Sequence, residues 1–146
     1  MEKKDLKIIT EIMDLASKQF PVVKVENGIA YATNGQAMVS RPTEILDNGY
    51  FDLLDKDILK VIAKNGGDSN SLIHQTTDIN FPNVDILEKA FNSKFQFEIN
   101  INGDNLIKLL KSLKGKDNKI TIKIKDSDSP ILISHSNGQG LIAPIV

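Results

Sequence analysis

Cysteine is absent from this chain, which excludes disulfides, thiolate metal sites and thiol nucleophiles. Tryptophan is absent too, and Phe and Tyr are few. No aromatic is interleaved with the lysine-rich segments, so a stacking platform for single-stranded nucleic acid is not expected. The two histidines, His74 and His135, stand far apart with no ligand spacing near them, so a structural metal is not expected either. Arginine occurs once, as Arg41. No apolar run approaches the ~20 residues that span a bilayer. The opening stretch MEKKDLKIITE is charged and lacks the apolar core of a signal peptide, so the expected location is the cytoplasm.

Catalytic motifs are missing as well. There is no Gly-rich phosphate loop, and Gly66-Gly67 reads as a helix stop. No serine sits in a Gly-x-Ser-x-Gly elbow. Asp126 and Asp128 flank Ser127, where paired carboxylates can hold a divalent cation. A hairpin turn accounts for them without a metal. His74 and His135 read as strand residues. No acid, base and electrophile assemble, so the expectation is a protein without catalytic activity, cofactor or metal. A small enzyme whose pocket is invisible in sequence is the rival of a different class.

What is present is an ordinary globular composition, 40% hydrophobic and 25% charged over 146 residues, enough for a real core in one domain or two very small ones. The formal net charge of -1 conceals an uneven distribution. Residues 43–92 carry nine acids against four lysines, and residues 103–125 carry seven lysines against two acids. A basic segment of this kind can face an anion such as nucleic acid, or be a solvated lysine-rich face.

Periodicity predicts the elements. Leu6, Ile8, Ile9, Ile12, Met13, Leu15 and Ala16 form a broad apolar face, predicting a helix over 5–18 with Asp5 as its cap and Pro21 beyond its end. Two Asn-Gly pairs, Asn27-Gly28 and Asn34-Gly35, divide residues 21–42 into three short antiparallel strands. Residues 50–53 read as a strand, and 55–64 as a helix stopped by Asn65-Gly66-Gly67. Residues 71–80 read as one or two weak strands, and 81–91 as a loop with a helical turn. Phe95, Phe97, Ile99 and Ile101 alternate with polar residues, predicting a half-buried strand over 94–101. An amphipathic helix is expected over 104–114, with Lys108 and Lys111 away from its leucine stripe. Strands are expected over 119–125, 130–136 and 140–146.

The order helix plus three strands therefore occurs twice, at 5–42 and at 104–146. Such repetition predicts a pseudo-symmetric α+β fold with helices on one face of a mostly antiparallel sheet. The expectation is a single domain over 1–146, with half-units of about 1–45 and 93–146 joined by a divergent segment, 46–92.

Three patches carry a resemblance. Residues 28–38, GIAYATNGQAM, resemble a segment ending Ala-Thr-Asp-Gly-His-Arg-Leu in the bacterial replicative sliding clamp, the β subunit of DNA polymerase III. Residues 81–84, FPNV, resemble the clamp's Phe-Pro-Asp-Tyr loop. Ser129 to Ile133, then Asn137-Gly138 and Gly140 to Val146, resemble its Pro-Val-Leu-Ile strand and Met-Pro-Met tail. Residues 48–68 are similar to the strand and helix between the first two patches. Clamp chains hold three tandem domains, and this chain resembles the middle one joined to the last half of the third.

The resemblance implies a clamp-like fold, a role as a replication accessory protein, and two surfaces. Inner-wall helices would face duplex DNA non-specifically through Lys108, Lys111 and Lys114, with Lys7 and Lys18 on the first helix. A pocket for peptides of replication proteins would be walled by Thr33, Gly35, Gln36, Ala37, Met38, Pro82, Leu87, Leu141 and Ala143. The clamp's His-Arg pair is Gln36-Ala37 here, and its tail methionine is Ala143. One chain is too short to encircle DNA, so encirclement requires self-association through sheet edges. The alternative is a monomeric interaction module that keeps the fold without the ring.

Overall fold

A computed structural model of the chain describes residues 2–45, 47–53, 56–67, 73–76, 80–113, 115 and 117–145, with Leu53 and 73–76 described by backbone alone. The fold is α+β, with two antiparallel sheets and four α-helices among the described residues. The chain forms two compact units, Met1–Asn92 and Ser93–Val146.

In the first unit, helix α1 spans Lys3–Ile12 and is followed by a 3-10 turn over Met13–Leu15. Leu6, Ile9 and Ile12 recur on one face and are buried. The helix starts before Asp5 and stops well short of residue 18. Asp5 is therefore not its cap: buried inside the first turn, its Oδ1 accepts from the Glu44 backbone N–H at 2.9 Å. The early stop has a local cause. Ala16 is extended (φ -62°, ψ 154°), and the Ser17 hydroxyl accepts from the Phe20 N–H, turning the chain toward the sheet.

Strands β1 (Val23–Glu26), β2 (Ile29–Thr33), β3 (Met38–Pro42), β4 (Gly49–Leu53) and β5 (Ile73–Thr76) form one antiparallel sheet in the order β3-β2-β1-β4-β5. The β1–β2 turn needs two left-handed residues, which Asn27 (φ 52°) and Gly28 (φ 77°) supply. Register places Val25 opposite Ala30 and Val23 opposite Phe51, so the small and branched side chains of three strands share one face. Leu6, Ile9 and Ile12 of α1 and Leu59 and Ala63 of α2 (Lys56–Asn65) close that face into one core. As the Gly66-Gly67 signal predicts, α2 ends at Asn65, and the Gly66 N–H returns to the Ile62 carbonyl at φ +88°.

The segment 46–92 thus lies within the first compact unit: β4 pairs with β1, and α2 packs against α1. Helix α3 (Asp85–Phe91) is a full element where a helical turn is expected.

In the second unit, α4 spans Gly103–Ser112 and is capped by Asn102, whose side chain accepts from the Asn105 N–H at 2.9 Å. Strands β6 (Thr121–Lys123), β7 (Ile131–His135) and β8 (Gly138–Ile142) form an antiparallel meander. Leu113, Ile131, Ile133 and Ile142 are buried, and Leu106, Leu109 and Leu110 pack on them. Gly140 lets α4 approach β8, because a Cβ there would collide with Leu109. The Asp126 carboxylate accepts from the Asp128 and Ser129 N–H groups, as the turn reading requires. The His135 ring accepts from the Asn137 N–H at Nδ1 and bonds the Asp117 carbonyl at Nε2, tying two loops together.

The strand expected over 94–101 is not formed. Ile99 and Ile101 pack on the core, and the Asn100 carbonyl accepts from Ile145 N–H, but no ladder develops among the described residues. Alternation supplies one apolar face; a strand also needs a neighbour for its backbone groups. Helix plus three-strand meander nevertheless occurs in both units, as α1 with β1–β3 and α4 with β6–β8.

The 3-10 turn after α1 is also joined to α2 by charge. Asp14 lies 2.8 Å from Lys56 Nζ and 3.0 Å from Lys60 Nζ. Hydrogen bonds from Lys56 and Lys60 hold its carboxyl below the usual 3.8. The carboxylate is more than half exposed, so solvent keeps the contribution under ~1 kcal/mol. A depressed folded pKa gives stability that is present above the unfolded value and lost as pH falls through the folded one. Asp14→Asn is expected to lower the melting temperature by up to ~4 °C at neutral pH. That difference should vanish as the pH drops below the carboxylate range, read by thermal unfolding of both proteins.

Candidate functional site

Strand β2 presents alternate residues to opposite sides of its sheet. Ala30 and Ala32 enter the helical core, while Tyr31 and Thr33 point to the other side. On that second side, Phe81 meets Phe20 and Tyr50 with ring centroids 6.1 Å apart in each case. Phe81 fixes the chain just before Pro82, and Val84 is buried beyond it. The Asn83 side chain accepts from the Asp85 N–H at 3.0 Å, setting the start of α3.

The β2–β3 loop is held by its own side chains. Thr33 Oγ1 donates to the Ala37 carbonyl at 2.6 Å and accepts from the Gly35 N–H at 3.0 Å. Asn34 Oδ1 accepts from the Gln36 and Ala37 N–H groups at 2.9 and 2.8 Å. Gly35 takes φ +91°, open to glycine at little cost, with Phe20 packed beneath it.

Between this loop and α3 lies a cavity of about 250 Å³. Its walls are Thr33, Gly35, Gln36, Ala37, Met38, Pro82, Ile86, Leu87 and Ala90. Seven of the nine pocket residues expected from sequence thus meet in one groove, from segments far apart in the chain. The other two, Leu141 and Ala143, lie in the second unit; Leu141 lines a separate cavity of about 350 Å³ with Lys123 and Leu132. Ile86 and Ala90 are additional. Their signal is the helical spacing of Ile86, Leu87 and Ala90, which becomes visible once 85–91 is read as a helix.

The groove is predominantly apolar. Tyr31, on the same side of the sheet, is pushed above its usual phenol value, first by burial and then by the charges of Glu26, Glu88 and Asp85. A preformed apolar groove bounded by a fixed loop is suited to receiving apolar side chains of a peptide.

The lysines fall in different settings. Lys108 and Lys111 are exposed on α4. Lys7 is exposed on α1, whereas Lys18 lies in the bend beyond the helix and is not on a helical face. Lys114 lies outside the described residues. Around α1, Lys4 pairs with Glu44 at 3.5 Å and Glu11 with Arg41, so acids and bases alternate there. His74 is on β5, its side chain outside the description. Among the described residues no helix is long and apolar enough to cross a membrane.

Comparison with protein-family models, curated proteins and solved structures finds no match to this chain.

The loop geometry makes Thr33 the pivot of the groove wall. Thr33→Val leaves the Ala37 carbonyl and Gly35 N–H without their shared partner. A loss of ~1–3 kcal/mol in urea unfolding is expected, with Thr33→Ser close to the parent.

Proposed function

We propose that this chain is a sliding-clamp-like replication accessory protein, which binds partner peptides in the β2–β3/α3 groove and duplex DNA non-specifically through α4. One observation carries the reading. Seven of the nine wall residues inferred from resemblance, those around 33–38 and 82–87, line one cavity whose loop is held by hydrogen bonds, while Leu141 and Ala143 lie in the second unit. A preformed groove spares a bound peptide the cost of ordering its receptor. Apolar lining supplies affinity through burial, and the neighbouring backbone gives an extended peptide its orientation.

For DNA, Lys108 and Lys111 on the solvent side of α4 are the residues the reading uses. Lysines neutralise phosphate without reading bases, so contact through them is loose, salt-dependent and compatible with sliding. A clamp-like fold would place such helices toward the duplex.

The second reading, a monomeric clamp-fold interaction module without encirclement, is favoured by the charges around α1. Glu11, Asp14 and Glu44 pair with the basic groups around α1, so that helix offers no continuous cationic wall.

The two surfaces are tested separately. Ile86 is 60% exposed, so Ile86→Glu leaves the core intact and is expected to weaken binding of a fluorescently labelled clamp-binding peptide at least ~10-fold by anisotropy. Unchanged affinity, or no binding by the parent, counts against the groove. Exchange of both Lys108 and Lys111 for Glu is expected to abolish retention on duplex DNA at low salt and to flatten the salt dependence in proportion to the phosphates released. Unchanged retention removes DNA contact through α4.

A further inference from the structure

The two units cover their sheets to different extents. In the first, α1 and α2 pack side by side over one face and close the core. In the second, the single helix α4 rests on β8, with Leu109 over Gly140 and Leu113 near Gly138. The far side of the same face is left open. Ile122 of β6 stands directly opposite Ile133 of β7 and so shares its face. Ile133 is 1% exposed, whereas Ile122 is 54% exposed, and Ile120 and Ile124 beside it are exposed as well. On α4 itself Ile107 is 53% exposed. These apolar residues lie on the one unit of this chain that has no second helix among its described residues.

We propose that a second copy of this chain covers this face, with the two α4 helices packed antiparallel across a twofold axis at Ile107. The charges of α4 argue for that occupant. Asp104, Ile107 and Lys111 follow at spacings of three and four residues and so form one stripe on the helix. The centre of the Asp104–Lys111 span falls between Ile107 and Lys108. A twofold axis there sets Asp104 of each copy beside Lys111 of the other, with both Ile107 side chains between the two ion pairs. A twofold interface requires a patch complementary to itself, and this stripe meets that condition. Antiparallel packing also sets each helix N-terminus beside the other's C-terminus, which suits their dipoles. The contact uses the Asp104, Ile107 and Lys111 stripe of α4, so it competes with duplex contact through Lys111, and it leaves the sheet edges free. It rests on the geometry of the second unit and not on the peptide groove.

Sedimentation velocity and light scattering of the full chain test it. The parent is expected to be a dimer. Ile107→Glu, at an exposed position, should be monomeric with an unchanged circular dichroism spectrum. Asp104→Lys and Lys111→Asp should each lose the dimer alone. Mixed in equal amounts they should recover it, because the heterodimer restores both cross-copy pairs. A parent that is monomeric over the whole micromolar range overturns the proposal. So does a dimer that survives Ile107→Glu, or single charge variants that gain nothing on mixing; assembly through sheet edges would give that pattern. An oligomer dispersed by Ile86→Glu but not by Ile107→Glu also overturns it, since its contact lies in the groove.

Discussion

The alternation of side chains along β2 divides the first unit into a core and a groove. Ala30 and Ala32 are small enough for α1 to lie close to the sheet, and both are fully buried. Tyr31 and Thr33, one step out of phase, belong to the opposite side, where Thr33 holds the loop that walls the cavity. A one-residue slip in register would send the tyrosine into the core and the alanines into the groove. Core packing and groove geometry are therefore not independent. The burial that fixes the register of β1, β2 and β4 also fixes the position of Thr33 and Met38.

The same logic explains why the loop is rich in Thr, Asn and Gly. A four-residue connection between two strands cannot lean on a ladder for all its hydrogen bonds, so side chains supply them. Thr33 and Asn34 satisfy four backbone groups between them. The far wall is held differently, by Phe81 wedged between Phe20 and Tyr50 and by the buried Val84. Aromatic burial anchors that side, while hydrogen bonds anchor the loop. The second unit has less to work with: four buried apolar residues under one helix, and a third strand whose residues are all exposed.

Much of this was legible in the residues. The tight Asn27-Gly28 turn, the stop at Asn65-Gly66-Gly67 and the leucine stripe of α4 each act over a few residues and are found where their chemistry predicts, whereas Asn34-Gly35 opens a four-residue loop with only Gly35 at positive φ. The groove's core set, from Thr33 to Met38 with Pro82 and Leu87, was legible through resemblance to clamp segments. Ile86 and Ala90 were not, because 81–91 contains Pro82 and Asn83 and looks like a loop until α3 is seen. The failed expectation at 94–101 is the instructive one. Phe95, Phe97, Ile99 and Ile101 have the right period, but period describes one segment and a strand is a property of two. Lys18 failed for a related reason: the apolar pattern runs on past Ile12, but the Ser17 hydroxyl and the path to β1 end the helix first.

The sequence by itself determined the local states, namely which stretches coil, which extend and where they turn, because capping, glycine freedom and apolar period are settled among neighbours. It also determined that thiol chemistry has no place here, because the chain has no cysteine. Only tertiary structure decided that residues 46–92 belong with the first unit, that α3 comes to lie beside the β2–β3 loop, and that one face of the second sheet stays open. Those outcomes depend on contacts between segments tens of residues apart. Their free energy comes from surfaces that exist only after the elements have formed.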